Sequence, residues 1–361
     1  MENAVAEGAL RLLEAVDYAR LPEKNLHVPQ LDKLTKKICQ LRAKGFEFHH
    51  ISSLLLTGGV DLHPDTIRDF FYAAHETRMT AYELLITESP DFNLITHDDK
   101  SFFLQQGLRE SVKDFSGFVL HYQPQIDTTT GKIVGAEALL RWSFNGALIP
   151  PSEFIPLAEN LDLIIPLGEW VLREACNEAK RWQSLGLGGE EGIKVGVNIS
   201  AKQLIGNLPK TIKNILNDSG LANRLLGIEI TESFLVNKNY LHTLHILKNR
   251  GIHLSIDDFG IGYSCLAQLK DLPIHTVKID REFVKNIGKS RNLSILESII
   301  DLAKKLGAKT LAEGVESEDE ATALKKLGCT TFQGFLYSKP LSGEDFIKFV
   351  LASLPPLVLN A

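Results

Sequence analysis

Cysteine is scarce in this chain, and what there is stands apart. Cys39, Cys176, Cys265 and Cys329 form no C-x-x-C pair and have no histidine partner at metal-ligand spacing. That argues against disulfides and fits reduced thiols in a cytosolic protein. A basic leader is missing as well, since Met1-Glu2-Asn3-Ala4 carries acid where a signal peptide needs positive charge. No apolar run approaches the length that crosses a bilayer. The expectation is a soluble, cytoplasmic protein with no membrane partner. Positive charge is not in excess: the formal net charge of -6 argues against a chain coated in nucleic acid and leaves room only for a local basic face. G-x-S-x-G, H-E-x-x-H and G-x-x-x-x-G-K-[ST] are all absent, so serine-hydrolase, zincin and P-loop chemistry have no support.

What is present is ordinary in amount and unusual in arrangement. With 361 residues, 44% hydrophobic and 23% charged, the chain suits two domains, or one barrel with an appendage. Its organising stretch is Ser255-Ile256-Asp257-Asp258-Phe259-Gly260-Ile261-Gly262. An apolar lead-in (Ile252, Leu254, Ile256) predicts a strand that delivers two adjacent carboxylates into a glycine-rich exit. Neighbouring strand side chains face opposite ways, so both acids reach one site only if Asp258 is already leaving the strand. Two carboxylates so close repel unless a cation lies between them. An Asx-type turn is the competing explanation for the pair taken alone.

The first 110 residues read as helical. Leu31, Leu34, Ile38 and Leu41 recur at helical spacing, and a second helix runs through Phe48, Ile51 and Leu54 to Gly58-Gly59. A third opens at His63-Pro64-Asp65. This order is similar to a helix-turn-helix unit, with Thr66 and Arg68 on the recognition helix, and makes DNA a possible partner. Asp65 and Asp69 beside a single arginine suit a phosphate backbone poorly, so a three-helix bundle that senses a signal, binds a protein or dimerises is preferred. His49-His50 reads as surface, because adjacent helical side chains do not share a face.

The polar stretch at 90–101 marks a boundary, giving domains 1–110 and 111–361. Beyond it, strands are expected at 118–125, 133–141, 194–200, 226–231, 253–257, 276–280, 310–313 and 331–336, alternating with helices. That count in about 230 residues predicts an α/β fold, a (β/α)8 TIM-like barrel behind a small all-α domain. Ser200 with Gln203 and Ser317 with Glu320 fit capping boxes, and Gly328 fits a helix stop. A helix at 170–182 carries one apolar stripe, with Trp170 and Trp182 in the core.

Nearly every expected strand ends in a polar group. Glu137, Asn198, Glu229 with Glu232, Asp257 with Asp258, Lys278 with Asp280, Glu313 with Glu316, and Gln333 follow in order. In a barrel these ends converge on one mouth. So many acids there need cations, and oxygen donors without Cys or His suit Mg²⁺ or Mn²⁺. Paired metals are the usual device for phosphoester hydrolysis, with Lys278 placed to orient water or balance charge.

These residues resemble the EAL-domain cyclic di-GMP phosphodiesterases. Glu137-Ala138-Leu139-Leu140-Arg141-Trp142 carries the signature. Tyr122-Gln123-Pro124, Asn198-Ile199-Ser200, Glu229-Ile230-Thr231-Glu232, Asp257-Asp258-Phe259-Gly260, Lys278-Ile279-Asp280, Ala312-Glu313-Gly314-Val315-Glu316 and Gln333-Gly334-Phe335 match in order over residues 115–350. The resemblance implies a barrel that cleaves cyclic di-GMP to linear pGpG with two Mg²⁺ or Mn²⁺ per active site. It implies metal ligation by Glu137, Asn198, Glu229, Asp257 and Asp258, with Asp257 bridging, and catalysis by Lys278, Glu313 and Glu316. It further implies substrate contacts from Gln123, Leu139, Arg141, Asp280 and Gln333. Glu232 corresponds to the residue holding the loop after Asp258, through which such domains form homodimers. Many such domains are inactive receptors that have lost an acid; this chain retains each one, so turnover is expected. It departs from the pattern at Ile261 and Cys265 in that loop, at Asp162 where glycine is common, and at Gln125 where an apolar residue is usual.

Overall fold

A computed structural model describes residues 47–57, 64, 97–232, 239–260, 271–285, 287 and 290–353. The chain divides into two units, Met1–Glu110 and Ser111–Ala361. In the first, α1 (Phe48–Thr57) is the expected second helix, with Ile51 buried. His49 and His50 are exposed on it as expected, yet their Nε2 atoms lie 3.1 Å apart. Long side chains swing along a helix surface far enough for neighbouring rings to meet. The helix expected at 31–43 and the candidate recognition helix with Thr66 and Arg68 lie outside the described residues. So does the loop carrying Ile261 and Cys265. Helix α2 (His97–Asp114) spans the boundary between the units.

The second unit is a closed barrel. Its strands are β1 (Phe118–Asp127), β2 (Ile133–Phe144), β4 (Lys194–Asn198), β5 (Leu226–Thr231), β6 (His253–Phe259), β7 (Thr276–Ile279), β8 (Lys309–Ala312) and β9 (Thr331–Phe332). They hydrogen-bond in the order β1-β9-β8-β7-β6-β5-β4-β2, and β1 with β2 closes the ring. All eight expected strands are present. The short β3 (Ala147–Ile149), which pairs with the far end of β2, had no counterpart in the expectations.

One strand runs against the rest: β1 is antiparallel to both β2 and β9. The chain passes from Asp127 to Ile133 in a tight turn, too short for the crossover a parallel pair needs. Asp127 Oδ1 builds that turn, accepting from the N–H of Thr129 at 3.0 Å and of Thr130 at 2.7 Å.

The parallel strands are covered on both faces, and β7 is buried throughout, which accounts for their runs of Val and Ile. Helix α3 (Pro151–Asn160) and the longer α4 (Ile164–Ser184) follow β3. Ile164, Leu167, Val171, Leu172, Ala175, Ala179 and Trp182 form the buried stripe of α4 at helical spacing. Trp182 meets Tyr122 edge-on at 5.0 Å and Phe346 at 4.5 Å, which ties α4 to β1 and to the helix Gly343–Ala352. Each such aromatic contributes about 1.5–3 kcal/mol by burial. Trp170 is only partly buried and stacks on Phe115.

Both capping boxes form, Ser200 with Gln203 and Ser317 with Glu320, and Gly328 closes its helix at φ +90°. Asp162 takes a left-handed φ of +58° and pairs with Lys202 at 2.6 Å. A position requiring that φ favours glycine, and aspartate is among the few side chains that tolerate it.

Candidate metal centre

The acids gather inside the barrel at the C-terminal ends of the parallel strands. Glu229 on β5 and Asp257 on β6 are inward-facing, and Glu137 joins them from β2 in register with Gly196 of β4. Glu137 is not at a strand end: β2 continues to Phe144 to pair with β3. Gly196 makes room, because a Cβ there would lie 2.1 Å from Glu229 Oε1.

Asp258 arrives by a different device from the one expected. The strand does not end after Asp257; it continues through Phe259, with a bulge in its pairing to β7 between Ile256 and Phe259. Asp258 itself adopts φ +52°, followed by Gly260 at φ +100°. The bulge cancels the alternation that would send adjacent side chains to opposite faces. Two sets of carboxylate oxygens result, each within 4.8 Å of one another: Glu137, Glu229 and Asp257, and then Asp257, Asp258 and Glu313. Asp257 belongs to both.

At the hub is Lys278, 1% exposed. Its Nζ lies 2.5 Å from Glu229 Oε2, 3.0 Å from Asp257 Oδ2, 2.7 Å from Glu313 Oε1 and 3.6 Å from Glu137 Oε1. Burial alone would push this ammonium down, but the surrounding carboxylates of Asp257, Glu137, Glu229 and Glu313 hold it well above the usual lysine range. Burial pushes the Glu229 and Glu313 carboxyls up against the opposing charge of Lys278, and the neighbouring acids add to the rise. Asp258 is raised by burial and by Asp257 and Asp280. Five carboxylates against one buried ammonium are short of positive charge.

The amides form the rim. Asn198 Nδ2 donates to Glu137 Oε1 at 2.7 Å. Gln333 Nε2 donates to Glu137 Oε2 at 2.6 Å and to Gln123 Oε1 at 3.2 Å, while Gln123 donates to the Ser338 carbonyl at 3.1 Å. Gln125 completes the chain, its Nε2 donating to Gln333 Oε1 at 3.0 Å. In the sequence Gln125 stands out only as a departure from the pattern. Its position two residues from Gln123, on the same strand face, is the signal that places it here.

The remaining expected residues sit further out. Leu139 and Arg141 are half-buried, and Arg141 Nη1 donates to the Leu140 carbonyl at 3.0 Å. Asp280 Oδ1 accepts from the Glu282 N–H at 2.7 Å, at the start of the helix Arg281–Lys285. Glu316 is exposed, and its carboxylate makes no hydrogen bond to the cluster among the described residues. Glu232 Oε2 accepts from the Gly260 N–H at 3.0 Å, holding the backbone just after Asp258; its buried Oε1 has no hydrogen-bond partner among the described residues.

The chain matches the family model for the EAL domain over residues 105–340. It is 34% identical to the signaling protein YkoW of Bacillus subtilis over 92% of its own length and 42% of that protein's. It is 38% identical to the cyclic di-GMP phosphodiesterase NbdA of Pseudomonas aeruginosa over 70% of its length and 33% of that protein's. The chain thus spans less than half of these curated relatives. A solved structure of the PaMucR phosphodiesterase in complex with c-di-GMP superposes with a TM-score of 0.64 at 39% identity, covering 68% of this chain and 99% of that one. With its acids, amides and buried lysine in one barrel mouth, the chain belongs to the EAL domain family.

Proposed function

We propose that the barrel hydrolyses one phosphodiester bond of cyclic di-GMP to release linear pGpG, with two divalent cations, Mg²⁺ or Mn²⁺, at the acidic mouth. Two carboxylate triads that share Asp257 carry this proposal. An all-oxygen donor set suits hard cations, and the deficit of positive charge around Lys278 supports two of them. Glu137, Asn198, Glu229 and Asp257 would hold the first, and Asp257, Asp258 and Glu313 the second. When bound, such a pair lowers the pKa of the attacking water and neutralises charge on the phosphoryl oxygens.

The chain's own groups divide the remaining work. Lys278, held protonated by its carboxylate neighbours, donates hydrogen bonds and orients the attacking oxygen; it does not remove a proton. Glu313, pushed up by burial and still bonded to Lys278, is the group suited to take that proton. Arg141 offers a planar fork to a phosphate oxygen. Gln123, Leu139 and Gln333 position the nucleotide, and Asp280 and Glu316 support the periphery. Glu232 sets the loop through which two barrels associate as a homodimer. Residues 1–110 regulate turnover, and the protein works in the cytoplasm, in accord with the buried free thiols Cys176 and Cys329. Duplex DNA titrated onto residues 1–110 at low salt separates a DNA-binding regulator from a sensor.

The test is turnover of cyclic di-GMP by the full chain with Mg²⁺, with Mn²⁺ and with chelator, beside Glu137→Gln. The expected result is pGpG from the wild type, abolished by chelation and slowed about 10³-fold in the variant, the loss of roughly 4 kcal/mol of transition-state stabilisation. Cyclic di-GMP binding with no pGpG formed would mean a receptor.

A further inference from the structure

The barrel has a second opening, at the end opposite the acids. A cavity of about 500 Å³ enters there between the N-terminal ends of the strands. Barrel interiors are ordinarily filled by layers of bulky branched side chains. Here Gly196, Gly227, Ser255 and Thr276 line the wall, and the space stays open.

The groups around it are basic. Lys194, His253 and Lys309 stand at the first residue of β4, β6 and β8, with Arg224 and His275 just ahead of β5 and β7. Two carboxylates share the mouth, Asp127 and Glu191; Glu229, at the inner end, is taken by Lys278. Asp127 Oδ1 is committed to its own turn. Among the described residues neither Lys194 nor Lys309 comes within ion-pairing distance of a carboxylate, although Glu191 favours the charged form of Lys194 and Lys309 that of Asp127 from further away. Burial first, and then the charge of Lys309, lowers Lys194 from the ordinary lysine range. Burial, helped by Lys194, His275 and Lys309, drives His253 down to about 3. His275 Nδ1 accepts from the Leu254 N–H at 3.0 Å, so its ring proton sits on Nε2 as a donor. Cations converging from several strands on one cavity match a compact, multiply charged anion.

We propose that this cavity binds a small phosphate-bearing metabolite through the ammonium groups of Lys194 and Lys309 and the ring N–H of His275. The site is separate from the acidic mouth and does not depend on the turnover proposed there. Its inner wall nevertheless includes Glu229 and Gln125, the partners of Lys278 and Gln333.

The test uses the full chain without metal, titrated with inorganic phosphate against chloride at matched ionic strength, and read by thermal shift and calorimetry. A saturable rise in Tm is expected for the wild type and for Arg141→Ala, with affinity at least tenfold weaker in Lys309→Gln and in Lys194→Gln. Lys305→Gln, an exposed lysine elsewhere, should bind like the wild type. Lys309 is itself exposed at the cavity mouth, so its variant decides the matter even if Lys194→Gln does not fold. Absence of a saturable response in the wild type overturns the proposal. So does equal affinity in Lys309→Gln, or loss in Arg141→Ala alone, which would put the anion at the acidic end.

Discussion

At the C-terminal ends of the strands four carboxylates surround one buried ammonium and Asp258 adds a fifth to the cluster, while at the N-terminal ends two lysines without an ion pair among the described residues and two histidines line an open cavity. Three strands build both. On β4 Lys194 precedes Asn198, on β6 His253 precedes Asp257, and at β8 Lys309 precedes Glu313, which stands just past the strand's end, each by four residues. Inward-facing positions recur every second residue at about 3.3 Å per residue, so the members of each pair look into the same barrel about 13 Å apart. Between them stand Gly196, Ser255 and Leu311. The barrel is therefore polarised along its axis. One end is short of positive charge, the other carries more basic than acidic groups, and the layer between holds them apart.

Removing the hub charge breaks the acidic end most severely. Lys278→Met leaves buried carboxylates uncompensated and should destabilise the metal-free protein by about 3–5 kcal/mol in urea unfolding, with Mn²⁺ restoring part of the loss. A neutral effect would mean that the acids need no counter-charge. The basic end should respond to pH instead. His253 titrates near 3 when folded and near 6.5 when unfolded, so its contribution is complete above about pH 6.5 and is lost as pH falls toward 3. The raised carboxyls of Glu229 and Glu313 act in the opposite direction, so the His253 share is read as the difference between wild type and His253→Gln, with the wild type losing about 1–2 kcal/mol more than the variant between pH 7.5 and pH 5.

The layer between the ends is probed by Gln125→Leu. It frees Gln333 from one of its partners and should lower kcat/KM for cyclic di-GMP about tenfold, roughly 1.4 kcal/mol, at unchanged Tm. The smallest effect belongs to a position outside both ends. Asp162→Gly relieves a left-handed backbone and loses an exposed ion pair with Lys202, and the two should cancel to within about 0.5 kcal/mol in thermal unfolding.

The acidic end was far more legible in the sequence than the basic one. Its residues come in local motifs with recognisable spacing, and Asp257-Asp258 announced a strand with an irregular exit. The bulge that keeps Asp258 within the strand was not legible, because strand pairing decides it and β7 lies some twenty residues on. The antiparallel β1 was readable in principle from its short connection to β2, which the eight-unit count obscured. Lys194, His253 and Lys309 share no motif and sit more than fifty residues apart, each an ordinary base before a strand. Only closure of the barrel gathers them. Glu316 shows the reverse, a motif residue that the fold leaves exposed beside the cluster.

The account turns on one shared carboxylate, and counting ions tests that most directly. Mn²⁺ titrated by calorimetry into the metal-free full chain should bind at two sites in the wild type, at one in Asp258→Asn, and with both sites weakened in Asp257→Asn. A single site in the wild type, or an Asp257→Asn variant that still binds two ions as tightly, would contradict the shared-carboxylate centre.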